Sequence, residues 1–508
     1  MNILTFAPFG YEGTIVNVET DIRDGVPAVD IVGLADSCVI VARERVKAAV
    51  INSGLLLPAK RILMSLSPAD CRKTGEMFDL PMALSLLVKE YNIKPLKDRS
   101  VFAYGELTLH GELRPVRGVY AALCSAIENN AKYAVISKAN IEEVGDLGKK
   151  IKIFPADNLK EAFNAIEHEG LFEPVQELVS KNNDVEEVDN VLFPKTEPLV
   201  EDVKGIKNAV AAAIIAAAGG HNLLVAGENG NEKTLLMQAV QSITPALTEE
   251  EVSSVRKIYS LAGLYNNNSN IPPFRMPHQT VTIEGMCGGG TDLAPGEISL
   301  AHNGILFLDE AAEFSTSVLQ MLRVPLESGQ VTLCRAGRST SFPARFQLLI
   351  ATGTCPCGSF GSSDRVCLCS KHSIELYWKK FSQPLIDRID LRIIPDGNED
   401  EVNCYTTEQA RHLVATAYKT QIARQGKKNA LLTIDEVENF CIDLLSEKAK
   451  EIYGKIDDGV SYSPRALNSI LKVSRTIADM NSRELIFSED IKEAIQLRQK
   501  TPVESATI

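Results

Sequence analysis

Nothing in the 508 residues approaches the run of about twenty apolar positions that a bilayer-spanning helix requires; the Ala-rich stretch Ala209 to Ala218 is too short. Nor does Met1 open a charged segment followed by an apolar one, as a secretory leader would. These absences predict a cytoplasmic protein with no membrane contact. Positive charge is also scarce: 53 Lys and Arg against 66 Asp and Glu leave a net charge of −13. Composition therefore offers no global footprint for nucleic acid, and any such contact has to come from a local patch, such as the lining of a ring. What is present is ordinary: 45% hydrophobic and 23% charged residues in a chain long enough for two or three domains with packed cores.

In a reducing compartment the eleven cysteines are free thiols or metal ligands rather than disulfides. Seven are scattered: Cys38, Cys71, Cys124, Cys287, Cys334, Cys404 and Cys441. The other four, Cys355, Cys357, Cys367 and Cys369, form CPC, nine residues, CLC. Four thiolates suit tetrahedral Zn²⁺, with a reduced, metal-free loop as the alternative, because C-x-C is tighter than the usual spacing of zinc ligands.

The apolar run Ile305 to Leu308 stops abruptly at Asp309 and Glu310. An unbroken apolar run is natural for a strand covered on both faces, and open α/β sheets bind ligands at the carboxyl ends of their strands. Asp309 would there hold Mg²⁺ through its water shell and Glu310 would polarise an attacking water; the bland alternative is a helix cap after a strand. Upstream, the short strand Asn222 to Ala226 leads into GENGNEKT, Gly227 to Thr234, and then a helical stretch. Strand, glycine turn and helix in that order make a phosphate loop, with Gly227 and Gly230 in the turn, Lys233 on the phosphates and Thr234 on Mg²⁺. The pattern demands glycine at 232, where this chain has Glu232.

Residues 1–170 mix strands and helices: Gly13 to Glu19, Ala28 to Val32, Ile62 to Leu66 and Phe102 to Tyr104 read as strands, Ser37 to Ser53 and Pro81 to Val88 as helices, and Gly111 sits in a hairpin turn. Residues 171–205 are acidic, without strong periodicity, and read as a linker. Residues 206–395 hold the loop and the acids, with a hairpin predicted from Val331 to Cys334 and Ser341 to Phe346 whose tip carries Arg335 and Arg338. These are candidates for a nucleic-acid backbone contact or a solvated tip. From 396 to 508 the chain reads as helical over Glu408 to Arg424, Ile434 to Glu451 and the SPRALNS helix beginning at Pro464, ending in a frayed tail at 501–508.

Long stretches of the sequence resemble the ComM/YifB family of magnesium-chelatase-like AAA+ proteins. They are VDIVGLAD (29–36), LSPADCRKTGEMFDLPMAL (66–84), GELTLHGELRPVRGV (105–119), GGGTDLAPGEISLAHNGILFLDEAAEF (288–314), SQPLIDRID (382–390) and SYSPRALNSILKVSRTIADM (461–480). The resemblance implies an α/β fold: an AAA+ P-loop core, an N-terminal α+β domain like ribosomal S5 and Lon protease, and a C-terminal helical lid. A Ser–Lys peptidase would be the chemistry of such a first domain. Lys60, Lys73 and Ser67 are present, but Met77, Phe78 and Asp79 stand where a nucleophile turn should be. A non-proteolytic role follows, with Arg72 and Lys73 expected as solvated or phosphate-contacting charges.

The family implies ATP and Mg²⁺ as ligands, a homo-hexameric ring, and an ATP-driven motor for branch migration or unwinding of DNA. Lys233, Thr234 and Asp309 would hold Mg²⁺–ATP and Glu310 would activate water. Arg388 would be an arginine finger toward the neighbouring subunit, or else an internal partner of Asp387 or Asp390, and Arg465 would be the lid arginine. Where the family places an asparagine before PCPCG to position the lytic water, this chain has Gly353. With Glu232, two nucleotide-contacting positions are altered. That favours a rival, a nucleotide-weakened regulatory or structural ring subunit; a motor subunit of a metal chelatase is a third.

Overall fold

The computed structural model describes the chain except for residues 1, 35, 94–99, 169–171, 173–183, 229, 265–269, 292, 336, 362–364, 396–404, 458–461 and 501–508. The predicted tail and part of the predicted linker lie outside the described residues.

The first unit is built on a seven-stranded sheet in the order Ala28–Val32, Arg61–Ser67, Thr14–Arg23, Ile3–Ala7, Val101–Tyr104, Tyr133–Ser137, Lys152–Ala156. Thr14–Arg23 runs antiparallel to both of its neighbours, and the last four strands of that order are mutually parallel. Helices Ser37–Asn52, Asp79–Glu90 and Leu159–Glu167 share one apolar cluster with the sheet, whereas Val119–Glu128 packs into another. Gly111 takes φ +84° in the predicted turn, where an added Cβ would stand 2.1 Å from the Ser53 hydroxyl oxygen. Lys73 corrects an expectation: it is fully buried, with its ammonium on the Pro68 carbonyl, whereas Arg72 is exposed. The predicted linker is corrected in part, since Val185–Val188 and Val191–Pro194 form an antiparallel hairpin with Phe193 buried beneath Arg411.

The second sheet has five parallel strands in the order Phe274–Arg275, Ile305–Leu308, Gln347–Thr352, Leu223–Ala226, Leu391–Ile393. Alternate residues of one strand enter different cores. Ile305 and Phe307 join Leu223, Val225, Leu349 and Ala351 in one; Leu306 and Leu308 join Leu224, Ala226, Leu348 and Ile350 in the other. Both faces are covered, which is why the run reads as continuously apolar. Each such side chain contributes ~1.5–3 kcal/mol of gross burial, so a charge could not stand before position 309.

The helices Lys207–Gly219, Thr407–Gln425 and Pro464–Met480 cover the first of these faces. The predicted helix Ile434 to Glu451 is interrupted: a short helix with a π turn ends at Ile442, and Glu447–Asp457 begins separately. The predicted hairpin is tighter than expected, Gln330–Arg335 against Arg338–Pro343, so that Arg335 and Arg338 pair across its end. Its second strand docks on the first unit, where the Tyr11 amide donates to Thr340 Oγ1 at 3.3 Å and Tyr11 meets Phe342 edge-on. Helix Glu249–Ala262 carries the rest of that contact, through Tyr120 to Ser253 at 3.1 Å and Arg256 to Asp146 at 2.9 Å.

Candidate functional site

Sheet order decides what can meet. The strands ending at Leu308, Thr352 and Ala226 are consecutive neighbours, so the segments that follow them converge at one edge. After Ala226 the chain turns through Gly227, whose amide donates to the Thr352 carbonyl at 3.1 Å. An added Cβ on Gly227 would lie 3.3 Å from Pro395. Helix Glu232–Ala239 then starts with Lys233 and Thr234 in its first turn, where backbone N–H groups and the positive helix end favour an anion.

The predicted loop and acids come together. Thr234 Oγ1 donates to Asp309 Oδ2 at 3.0 Å, and the other Asp309 oxygen accepts from the Glu310 amide at 3.0 Å. Lys233 is buried and donates across the turn to the Glu228 carbonyl. Burial holds its ammonium below the usual lysine range, opposed by the negative charges of Asp309, Glu232, Glu228 and Glu310. The Thr234 hydroxyl and the Asp309 carboxylate, side by side at the start of the helix, are oxygen donors of the kind Mg²⁺ takes. Mg²⁺ between Thr234 and Asp309 would take up the oxygens that now bond one another.

Glu310 stands at φ 47°, ψ 48°, the left-handed region, which costs a residue with a Cβ roughly 1–2 kcal/mol. The turn swings its exposed carboxylate to Gln279, whose amide donates to Oε2 at 2.7 Å. Gln279 was invisible in the sequence, because it follows the edge strand Phe274–Arg275 and meets Glu310 only through sheet order. Glu232 is exposed, and its carboxylate turns back over the loop: a Cβ added to Gly230 would stand 2.4 Å from Glu232 Oε2. At Gly353 the amide donates to the Tyr377 hydroxyl at 3.1 Å, and Tyr377 also bonds Thr352 Oγ1 at 2.9 Å. No side chain therefore projects from 353 toward the acids.

The two predicted arginines are together but away from the loop. The Arg388 carbonyl accepts from Asn222 Nδ2 at 2.9 Å, at the amino end of the strand whose carboxyl end carries Gly227. At ~3.3 Å per residue, about 16 Å of strand separates those ends. Arg388 pairs with Glu327, not with Asp387 or Asp390, and Arg465 pairs with the other oxygen of Glu327 at 2.9 Å. Asp390 is instead half-buried, with Ser469 at 2.6 Å and His221 at 3.4 Å.

The four clustered cysteines converge. Their sulfurs all lie within 4.8 Å of one another, with Cys355 to Cys357 at 3.3 Å and Cys367 at 3.6 Å from both. A tetrahedral ion with Zn–S near 2.3 Å requires S···S of about 3.8 Å, so the thiols fit Zn²⁺. Cys355 is buried three residues beyond the strand end, and Trp378 Nε1 anchors the loop through the Thr354 carbonyl at 2.9 Å. Among the described residues no helix is long and apolar enough to cross a membrane.

Residues 18–140 match the family described as subunit ChlI of Mg-chelatase, residues 199–401 the magnesium chelatase subunit ChlI family, and residues 405–498 its C-terminal family. The chain is 35% identical over 502 residues to the competence protein ComM of Haemophilus influenzae, covering 97% of this chain and 96% of that one. It is 35% identical over 503 residues to the uncharacterized protein YifB of Escherichia coli, with the same coverage of 97% and 96%. A more distant match, 23% identical over 308 residues, is to the DNA replication licensing factor MCM4 of Arabidopsis thaliana, covering 57% of this chain and 33% of that one.

Proposed function

The chain belongs to the ComM/YifB group of magnesium-chelatase-like proteins, and from that membership we propose that it is an AAA+ ATPase working as a Mg²⁺–ATP-driven motor on DNA. The observation that carries this reading is the 3.0 Å contact between Thr234 and Asp309, which joins the phosphate loop and the acid pair in one site. Lys233 and the amides of the loop that Gly227 and Gly230 turn bind the phosphates, Thr234 and Asp309 hold the metal, and Glu310 orients and polarises the attacking water. Mg²⁺ held by Thr234 and Asp309 would supply positive charge to offset the negative charge that develops on the phosphate.

Arg388 and Arg465 stand at the far end of the strand from their own loop, so they serve the loop of a neighbouring copy in a homo-oligomeric ring, as a hexamer provides. In this reading residues 1–170 form an accessory S5/Lon-like domain, 206–395 the motor core and 396–508 its lid, with a structural Zn²⁺ on the four cysteines. The names of the relatives, a competence protein and a replication licensing factor, support DNA as the partner and recombination of incoming strands as the setting.

Glu232 over the loop and the bare Gly353 favour a second reading, a ring subunit that binds nucleotide weakly and regulates or completes the assembly. Equilibrium binding and turnover of Mg²⁺–ATP, with and without branched DNA, separate the two. Saturable binding that Lys233→Ala abolishes, with DNA-stimulated turnover, supports the motor. Binding without turnover supports the second reading, and no binding removes both.

A further inference from the structure

The second arginine contact belongs to a residue that neither the sequence motifs nor the family roles single out. Glu327 lies in the short helix Pro325–Ser328 and gives one carboxylate oxygen to each arginine: Oε2 to Arg388 and Oε1 to Arg465, the latter at 2.9 Å. Arg388 is fixed further by its NH1 donating to the Pro384 carbonyl at 2.5 Å. The side chains of Arg388, Arg465 and Glu327 are 11%, 44% and 56% exposed, so the cluster opens at the surface.

Two guanidinium groups brought side by side repel, and each has several N–H donors that need acceptors. A carboxylate between them removes the repulsion and leaves one net positive charge. It also fixes both guanidinium planes through charge-assisted bonds, which carry geometry as well as attraction. The two arginines hold the Glu327 carboxyl below the usual range, so it stays ionised at neutral pH. The cluster comes from three distant segments, at positions 327, 388 and 465, and lies at the amino ends of the parallel strands, opposite the phosphate loop of the same chain.

We propose that Glu327 is a positioning residue that holds Arg388 and Arg465 as a paired receptor for the terminal phosphate of a nucleotide bound by the next copy of this chain. The proposal rests on the nucleotide-binding reading above. Without the carboxylate the arginines splay apart, and the neighbouring site loses its trans cations while its own loop is untouched.

The test uses Glu327→Gln in the full-length chain. Affinity for a fluorescent Mg²⁺–ATP analogue, measured on dilute protein, should stay within twofold of the unaltered chain. At assembling concentrations kcat should fall at least tenfold with KM changed less than threefold. Mixing this variant with Lys233→Ala, which keeps its arginines but cannot bind nucleotide, should restore turnover above either alone, because Glu327→Gln loops then meet intact arginine pairs. Turnover within twofold of the unaltered chain, or above it, overturns the proposal; so does parallel loss of affinity, which would place Glu327 in the site of its own chain. Failure of the unaltered chain to bind the analogue instead removes the nucleotide-binding reading itself.

Discussion

Glu232 offers the sharpest test of how this site handles phosphate. Its carboxylate is exposed and turned back over Gly230. A charge about 6 Å from a phosphate charge costs ~3 kcal/mol at an effective dielectric near 20 and ~0.7 kcal/mol in bulk water. Exposure puts the true value between these limits, a factor of about three to one hundred in Kd. Glu232→Gln removes the charge and keeps the side chain. It should tighten Mg²⁺–ATP binding by that factor in isothermal titration at low salt, with the gain shrinking as added salt screens the interaction.

Glu232→Gly should bind at least as tightly yet fold less stably, since glycine costs ~1 kcal/mol in a helix and a first-turn acid contributes ~0.3–1 kcal/mol. Opposite signs in affinity and melting temperature are the signature. Both variants also withdraw one of the charges that support the Lys233 ammonium against burial, so the Lys233 pKa should fall further. Combined with Gly353→Asn, Glu232→Gly should raise turnover at least tenfold. Affinities of both single variants within twofold of the unaltered chain at low salt would refute the reasoning.

Three further outcomes are expected. Glu310→Gln should bind Mg²⁺–ATP within threefold of the unaltered chain but lose at least a hundredfold in single-turnover hydrolysis, because Asp309, not Glu310, meets Thr234. Metal analysis of the purified chain should find one Zn²⁺ per chain, lost in Cys355→Ser together with a drop in melting temperature, since the buried Cys355 anchors the loop. His302 is buried and accepts from the Arg345 amide at 3.1 Å, and burial pushes its pKa down to about 4. The unfolded chain protonates first, near 6.5, so this stability is present above that pH and declines as pH falls toward 4, by ~2 kcal/mol at pH 5. Urea unfolding of His302→Gln should show a shallower decline between pH 7 and 5 than the unaltered chain.

Local signals carried much of this architecture. The run Ile305 to Leu308 announced a strand covered on both faces, and the glycine turn before Lys233 announced a loop at a helix start, because both depend on residues close in sequence. The tight CPC and CLC pairs could be placed in one cluster for the same reason. Gln279, Glu327 and Tyr377 could not be found that way: their contacts span 24 to 138 positions and are brought into place only by the fold. Lys73 was misread because a charged residue in a turn-rich stretch is usually solvated, and only the packed sheet end shows the Pro68 carbonyl that receives it. The hairpin at 185–194 was hidden by its acidic composition, since Glu186 is paired with Arg411, 225 residues away.

The opposed placement of Lys233 and the Arg388–Arg465 pair has a consequence for symmetry. If, as proposed, the arginine pair of one copy serves the loop of the next and the reverse contact is not made by the same two copies, the interface is heterologous and does not close as a twofold dimer. Rotation per step alone then decides whether copies form a circle or run on as a spiral filament.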